Sequence, residues 1–243
     1  MLRGTFVALV SAALLLAGCG DDDSGVSTAS DQETADKAIA AVQQALRDDG
    51  FAASPDDEND NDLSFQSEEC QEFEEVAFPE SDQELPGETA RARSGSFDRG
   101  RLEPTGGIEE SIRAGVTFVE EPKDLDPFFE MLNDERLGPC LEEAMRIAFE
   151  EGADESQEAV KVGDVEIEQL GGDGLGDAGG GLQGTTEIMT PAATLLLSFA
   201  AQSVRVDRAV VAVGTVAVGT DEPTVDRAAL LQVLVDAVSD QST

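Results

Sequence analysis

The chain has 243 residues, with 52 Asp and Glu against 15 Lys and Arg, and it contains no His, Trp or Tyr. The lack of histidine excludes the Ser-His-Asp and Cys-His catalytic arrangements and any His-ligated metal site. A formal net charge of −37 repels the phosphate backbone of nucleic acids, so we expect no nucleic-acid partner.

The N-terminus carries an export signal. An apolar run from Phe6 to Leu16 leads into Leu16-Ala17-Gly18-Cys19. This motif resembles the lipobox of bacterial lipoproteins, in which the cysteine thiol receives a diacylglyceryl group and the chain is cleaved just before it. The resemblance implies a signal peptide over 1–18, a lipid on Cys19 and a location on the outer face of the cell membrane. An ordinary signal peptide and a short membrane span are the alternatives, but the run falls short of the about 20 residues that a span needs.

The rest of the chain divides into a tether and one domain. Residues 19–30 are polar and acidic without apolar periodicity, which predicts a disordered tether. Residues 31–240 are enough for one sizeable core, and no internal repeat divides them. Within this domain, residues 54–90 hold fourteen acidic residues and no basic one, which predicts a solvated acidic loop. We expect its apolar residues to hold it to the domain, namely Phe65, Phe73, Val76 and Phe78.

Two cysteines remain once Cys19 is lipidated. In an exported protein, Cys70 and Cys140 predict one disulfide, and two unpaired buried thiols are the alternative. A redox role is not favoured, because there is no C-x-x-C motif and both cysteines lie among carboxylates, which disfavour the thiolate.

Helix signals occur at both ends and in the middle of the domain. A capping box at 30–33 begins a first helix that Gly50 ends. Asp126-Pro127 begins a short helix, and a longer one begins at Gly138-Pro139 and ends at Gly152. Thr220 or Asp221 caps a final helix, which buries Leu230, Leu231, Leu234 and Val238.

Strand signals lie between the helices. Residues 88–99 indicate an edge strand, 112–118 alternate clearly, and 165–167 indicate another strand. Residues 171–181 indicate a loop, whereas 195–199 and 204–218 are apolar on both faces, as in strands covered on both sides. Together these signals predict an α+β fold with a central, mostly antiparallel β-sheet flanked by helices on both faces.

Short motifs in this order resemble those of secreted lipoproteins and kinase sensor domains of high-G+C Gram-positive bacteria. They are Gly50-Phe51, Gly138-Pro139-Cys140-Leu141, Leu175-Gly176-Asp177-Ala178 and Val206-Asp207-Arg208-Ala209-Val210-Val211. The resemblance covers most of 31–240 and implies a PsbP-like fold and a surface location. It implies no defined ligand and no catalytic residue.

Basic residues are the candidate ligand contacts. Arg91, Arg93, Arg99, Arg101 and Arg113 occur within 23 positions, and paired strands would bring them together as an anion patch. Ion pairing with the many carboxylates is the alternative.

Arg208 alternates with apolar residues of a strand, which predicts a partly buried ion pair or a ligand contact. We name Arg91, Arg93, Arg113 and Arg208 as possible contacts to a ligand or anion.

Two further motifs do not meet the requirements of a site. Asp57, Asn59, Asn61 and Glu68 match the spacing of a calcium loop, but its sixth position has Asp62 instead of glycine. The G-x-G-x-x-G of 174–179 lies in mid-chain among further glycines, so it cannot open a helix. We therefore predict no metal and no cofactor.

The sequence favours a non-enzymatic, lipid-anchored lipoprotein that binds or senses a small ligand or a basic protein. The alternative is a carrier of a lipid or other apolar molecule, with a cavity between the sheet and its helices. The oligomeric state is not predicted.

Overall fold

Antiparallel strands and the helices packed on them make up the part of the chain that the computed structural model describes. That part comprises residues 29–54, 67, 69–71, 73, 85–102, 106–155, 161–172, 174–191, 193–220 and 223–240. The lipobox and Cys19, the candidate calcium ligands from Asp57 to Glu68, and Phe65, Val76 and Phe78 lie outside these residues. None of the helices in this part has the length and apolar character that a membrane crossing requires.

The elements alternate between helices and a meandering set of strands. A short 3-10 helix spans Pro122–Leu125, directly before the second α-helix. In chain order the elements are α1 (Ala29–Asp48), β1 (Ala52–Ser54), β2 (Glu88–Arg93), β3 (Ser96–Gly100), β4 (Ile108–Val119), α2 (Asp126–Leu132), α3 (Leu137–Glu155), β5 (Lys161–Val162), β6 (Glu166–Gly171), β7 (Ala178–Met189), β8 (Thr194–Val206), β9 (Ala209–Gly219) and α4 (Arg227–Ser239).

The nine strands form one sheet in the order β1-β3-β4-β9-β8-β7-β5. β2 continues the edge made by β3 along β4, and β6 lies beside β5 along β7. The four longest strands therefore lie in the centre, and every pairing is antiparallel. The structure confirms the predicted α+β class with a large antiparallel sheet and flanking helices.

One side of the sheet, which we call the helix face, carries α1 and α4. Alternate residues of β4, from Ile112 to Phe118, pack with Val211 and Val213 of β9 beneath these helices. Helix α1 also covers the outer edge of β2. Gln32 donates a hydrogen bond to the Arg91 carbonyl, and Gln43 donates one to the Ser94 carbonyl just after β2, each at 2.9 Å. Such cover blocks the pairing of a foreign strand at this edge.

The other side, which we call the mixed face, carries α2 and α3 over β7, β6 and β5. Its core cluster joins both helices to Leu197, Phe199 and Val216 of the central strands. Toward β2 and β4, the same face carries arginines and small residues instead of a described helix. The two faces are thus covered unequally.

The Gly-rich segment 171–181 was predicted to be a loop, and this prediction is wrong for its ends. β6 continues to Gly171 and β7 begins at Ala178, so only the short connection between them is a turn. Glycine is required here by close backbone packing: a Cβ on Gly181 would lie 2.2 Å from the Ala201 carbonyl oxygen. The many glycines of this segment predict flexibility, but in the structure they are needed because neighbouring strands approach closely.

Three helix boundaries also differ from prediction. α1 begins at Ala29, before the expected capping box, and α3 runs past Gly152 to Glu155. The cap of α4 is Asp226, whose carboxylate accepts a hydrogen bond from the Ala229 amide at 3.0 Å. The predicted cap Thr220 instead accepts a hydrogen bond from the Gly107 amide at the end of the central strands.

The predicted edge strand at 88–99 is two strands, β2 and β3, separated by a turn.

Candidate functional site

A disulfide joins the acidic segment to the mixed face. Cys70 and Cys140 are bonded, with their Cα atoms 5.5 Å apart, and both are buried, so the predicted pairing is confirmed. The bridge holds the short helical segment around Cys70 against α3. Phe73 is buried beside it, with the Arg136 guanidinium 5.2 Å from the centre of its ring. Of the residues predicted to hold the acidic segment to the domain, Phe73 alone belongs to the described chain.

Strand pairing places Arg91, Arg93 and Arg113 on the mixed face. Arg93 lies opposite Gly115, and Arg91 lies opposite Thr117 in the β2–β4 pair. Arg113 lies two residues before Gly115, so its side chain leaves the sheet on the same side. The sequence-based hypothesis grouped five arginines, and this register is consistent with convergence for these three of them.

The described carboxylates compensate these arginines only in part. Glu88 accepts an ion-pair hydrogen bond from Arg91, whose side chain remains 18% exposed. The Nε atoms of Arg91 and Arg113 are nevertheless buried without a hydrogen-bond partner in the described part of the chain. A buried donor that lacks an acceptor costs roughly 1–3 kcal/mol. Each of these two Nε donors therefore lowers the stability of the fold unless an acceptor reaches it.

Small residues lie beside the arginines in two rows across the sheet. In the first row, Gly115 of β4 is paired with Ala212 of β9. In the second row, Arg113 is followed by Gly214 and Ala201 on successive strands. We call this feature the arginine trough; it comprises Arg91, Arg93 and Arg113 at one end and a floor of Gly115, Ala212, Gly214 and Ala201.

Arg208, the fourth predicted contact, lies on the helix-face side of the β8–β9 turn and is engaged in a structural pair. Its guanidinium donates to both carboxylate oxygens of Asp31, one of them at 2.7 Å. The Thr89 hydroxyl donates to the same carboxylate at 3.0 Å, and the Asp31 side chain is only 4% exposed. The hydrogen bonds that Arg208 donates to Asp31 raise the pKa of Arg208 above its ordinary value. The ion-pair interpretation of Arg208 therefore describes the structure.

Arg99 is likewise paired on the helix face and does not join the trough. Its guanidinium donates at 2.7 and 3.1 Å to Glu110, which is buried between β3 and the residues preceding α4. The Thr224 amide also donates to Glu110, at 2.7 Å. Arg101 is exposed beyond the end of β3. Of the five arginines in this sequence cluster, three share the mixed face.

The glycine motif of 174–179 forms the turn between β6 and β7. The Leu175 amide donates to Gly172, and the Asp177 amide donates to the Arg205 carbonyl. Because β7 follows this turn, no helix N-terminus faces a phosphate site here. Within the described residues, no group of three Cys, Asp or Glu side chains is arranged to hold a metal ion.

A surface groove of about 580 Å³ runs along the outer side of α1. It lies outside the layers of the fold, so it is not the cavity between sheet and helices that the carrier hypothesis expects. The residues that line it belong to one helix and are mostly charged or small: Ala29, Gln32, Glu33, Asp36, Lys37 and Ala40.

Sequence reasoning missed the floor of the trough. The alternation through β4 drew attention to its apolar residues, which pack on the helix face. The signal for the other face is Gly115. This glycine lies in the middle of a regular strand, where no turn or strand end accounts for it.

No protein-family model matches this chain, and no curated protein or solved structure gives a match to it. The geometry alone therefore carries the functional argument.

Proposed function

We propose that this chain is a non-enzymatic lipoprotein, attached by a lipid on Cys19 to the outer face of the cell membrane, that binds a small anionic ligand in the arginine trough. The observation that carries the binding role is the buried Nε of Arg113, which lacks an acceptor beside Arg91 and Arg93. A carboxylate or another oxyanion would accept from such donors in a charge-assisted hydrogen bond.

The proposed family assignment agrees with the layers of the fold. A PsbP-like domain is our interpretation of the antiparallel sheet with helices on both faces. The lipobox-like motif supports the proposed attachment, and the disulfide suits an oxidising compartment outside the cytoplasm.

A binding role is favoured over catalysis by the groups that line the trough. They are guanidinium groups, hydroxyls and small apolar side chains. The Ser96 hydroxyl bonds to the Ser111 hydroxyl at 3.0 Å and donates to the Asp98 carboxylate at 3.3 Å. A serine nucleophile is usually activated by a histidine, which this chain does not have, so the hydroxyls favour ligand contacts over catalysis.

The excess of negative charge favours a basic protein as the second class of partner. At −37, the protein attracts a basic protein surface over a Debye length of about 10 Å at 0.1 M salt. A basic protein partner is therefore compatible with a small anionic ligand, because the two would use different parts of the surface.

A carrier of an apolar molecule is the second proposal. The observation in its favour is the floor of glycine and alanine beside the apolar cluster of the mixed face. The two proposals differ in the role of charge, because a purely apolar cargo gains nothing from the arginines.

The test is a titration of the full-length chain with sodium acetate at constant ionic strength. Nuclear magnetic resonance would follow the Nε–H signals of the arginines. We expect acetate to shift the signals of Arg91 and Arg113 with saturation, and the Arg113→Gln variant to lose most of this response.

Arg136→Gln is the matched control, because Arg136 pairs with Asp134 on an exposed loop away from the trough. Its response to acetate should equal that of the wild type. A response that both variants share, or no saturable shift at Arg113, would contradict the proposed site.

A further inference from the structure

The floor of the trough is open where it meets the arginines. Among the residues that the structure describes, a Cβ built on Gly115 would have a single neighbour within 4 Å, the Ala92 carbonyl oxygen at 3.9 Å. The φ angle of Gly115 is not in the left-handed region either, so its backbone conformation does not require glycine. Neither packing nor backbone geometry therefore explains a glycine at this position.

Other strand glycines show the contrast. A Cβ on Gly184 would lie 2.2 Å from the Phe199 ring, and one on Gly181 would lie 2.2 Å from the Ala201 carbonyl oxygen. Those glycines fill positions that a side chain cannot share. Gly115 instead leaves space that no described atom occupies, and a glycine inside a strand is typical of a site that a ligand approaches closely.

The accessible part of the floor continues from β4 onto β9. Ala212 is half-buried, whereas Val210 and Gly214 on either side of it along β9, and its partner Ser203 on β8, are buried. The accessible floor therefore consists of Gly115 and Ala212, which span one strand spacing, or about 5 Å.

The net charge restricts the ligand to a compact anion. A long polyanion extends beyond the arginines and meets the field of a protein that carries −37. A single carboxylate needs only the short-range hydrogen bonds of the arginines, which screening weakens little when they are partly buried.

We infer that the trough takes an organic anion with one oxyanion head and a flat, uncharged body about 5 Å wide. The head accepts hydrogen bonds from Arg91 and Arg113, and the body lies over Gly115 and Ala212. This inference rests on the proposed anion-binding function and adds the class of the ligand.

Three probes separate the parts of the proposal in the full-length chain: acetate, cinnamate and the neutral cinnamamide. We expect cinnamate to bind about tenfold more tightly than acetate, because its ring removes apolar surface from water. Cinnamamide should bind more weakly than cinnamate, because it lacks the charged head. The Arg113 Nε–H signal again reports the head.

The decisive variant is Ala212→Leu, which fills the floor one strand away from the arginines. It should reduce the affinity for cinnamate to that for acetate and leave acetate binding unchanged. Gly115→Leu is the second variant, because the space above Gly115 accepts a side chain. Ala53→Leu in the exposed strand β1 is the matched control and should change neither affinity.

The outcomes distinguish the two proposals. If acetate binds but cinnamate gains nothing, or if its gain persists in both leucine variants, the ligand class is wrong and the anion site stands. If neither anion shifts the Arg113 signal, the proposed function itself is wrong. If cinnamamide binds as well as cinnamate, the arginines do not select the ligand, and the carrier proposal is favoured.

Discussion

The two faces of the sheet use their arginines differently. On the helix face, Arg99 and Arg208 each contact a carboxylate whose side chain is 2% or 4% exposed. On the mixed face, the Arg113 Nε is buried without an acceptor. Buried charge that is fully paired fixes the position of secondary elements, whereas the unpaired donors are the contacts that our proposed function assigns to a ligand.

The pairs on the helix face hold α1 at both ends. Asp31, in its first turn, is bound by Arg208, and the Asp49 carbonyl just after its last turn accepts from Arg99 at 3.0 Å. The mixed face has a covalent bridge instead. We therefore expect each face to respond to a different kind of substitution.

The largest effect is expected from removal of the disulfide on the mixed face. The paired substitution Cys70→Ala and Cys140→Ala should lower the free energy of unfolding by about 4 kcal/mol, because the bridge closes a loop of some 70 residues in the unfolded chain. Chemical denaturation of the variant and the wild type measures this. An equal loss on adding a reductant to the wild type is the control, and a loss below about 1 kcal/mol would contradict the prediction.

The helix face should be most sensitive at Arg208. Arg208→Gln leaves the buried Asp31 carboxylate without its charge partner and should cost about 3 kcal/mol. Arg205→Gln in the same hairpin is the matched control, because its partner Asp126 is 55% exposed and such pairs contribute less than about 1 kcal/mol. Equal losses from thermal denaturation of the two variants would show that burial of the carboxylate does not set the cost.

A smaller effect of opposite sign is expected in the trough. Gly115→Ala should raise the free energy of unfolding by about 0.5 kcal/mol, because alanine restricts the unfolded chain and the added methyl group meets open space. Gly181→Ala should destabilise instead, because its Cβ would contact backbone. Denaturation curves for this pair show whether the fold requires glycine at 115, and a loss of stability in Gly115→Ala would contradict the prediction.

The smallest effect concerns an exposed pair. Hydrogen bonds from Arg136 lower the pKa of Asp134 from 3.8 to about 2. Since the native pKa lies below the unfolded one, the contribution to stability is complete above about pH 4 and is lost as the pH falls toward 2. Carboxyl-carbon resonance titrations of the wild type and Arg136→Gln measure the shift. An unchanged Asp134 pKa in Arg136→Gln would assign the depression to another cause.

The sequence predicted the elements better than the contacts. Alternation identified β4, and apolar residues on both faces identified β8 and β9, because these patterns follow directly from the two-residue period of a strand. The strand character of β7 was missed because glycine has a low strand propensity, and only the close approach of β6 and β8 explains its use there.

The candidate site was predicted in part. The clustering of Arg91, Arg93 and Arg113 was visible in the sequence, but their separation from Arg99 depended on strand register, which composition does not give. The partner of Arg208 lies 177 positions earlier in the chain, so no local pattern could identify Asp31. The floor of the trough could not be predicted from the sequence, because the pairing of three strands brings its residues together.

The link between Asp31 and Arg208 also has a consequence for the order of folding. α1 packs on β2 and β4, which follow it in the chain, but α4 and Arg208, which also hold it, come near the end of the chain. Closing such long loops slows folding, because chain entropy is lost before the contacts form. The Cys70–Cys140 bridge spans fewer residues, so the mixed face can gain its covalent link while α1 still lacks α4 and the charge partner of Asp31.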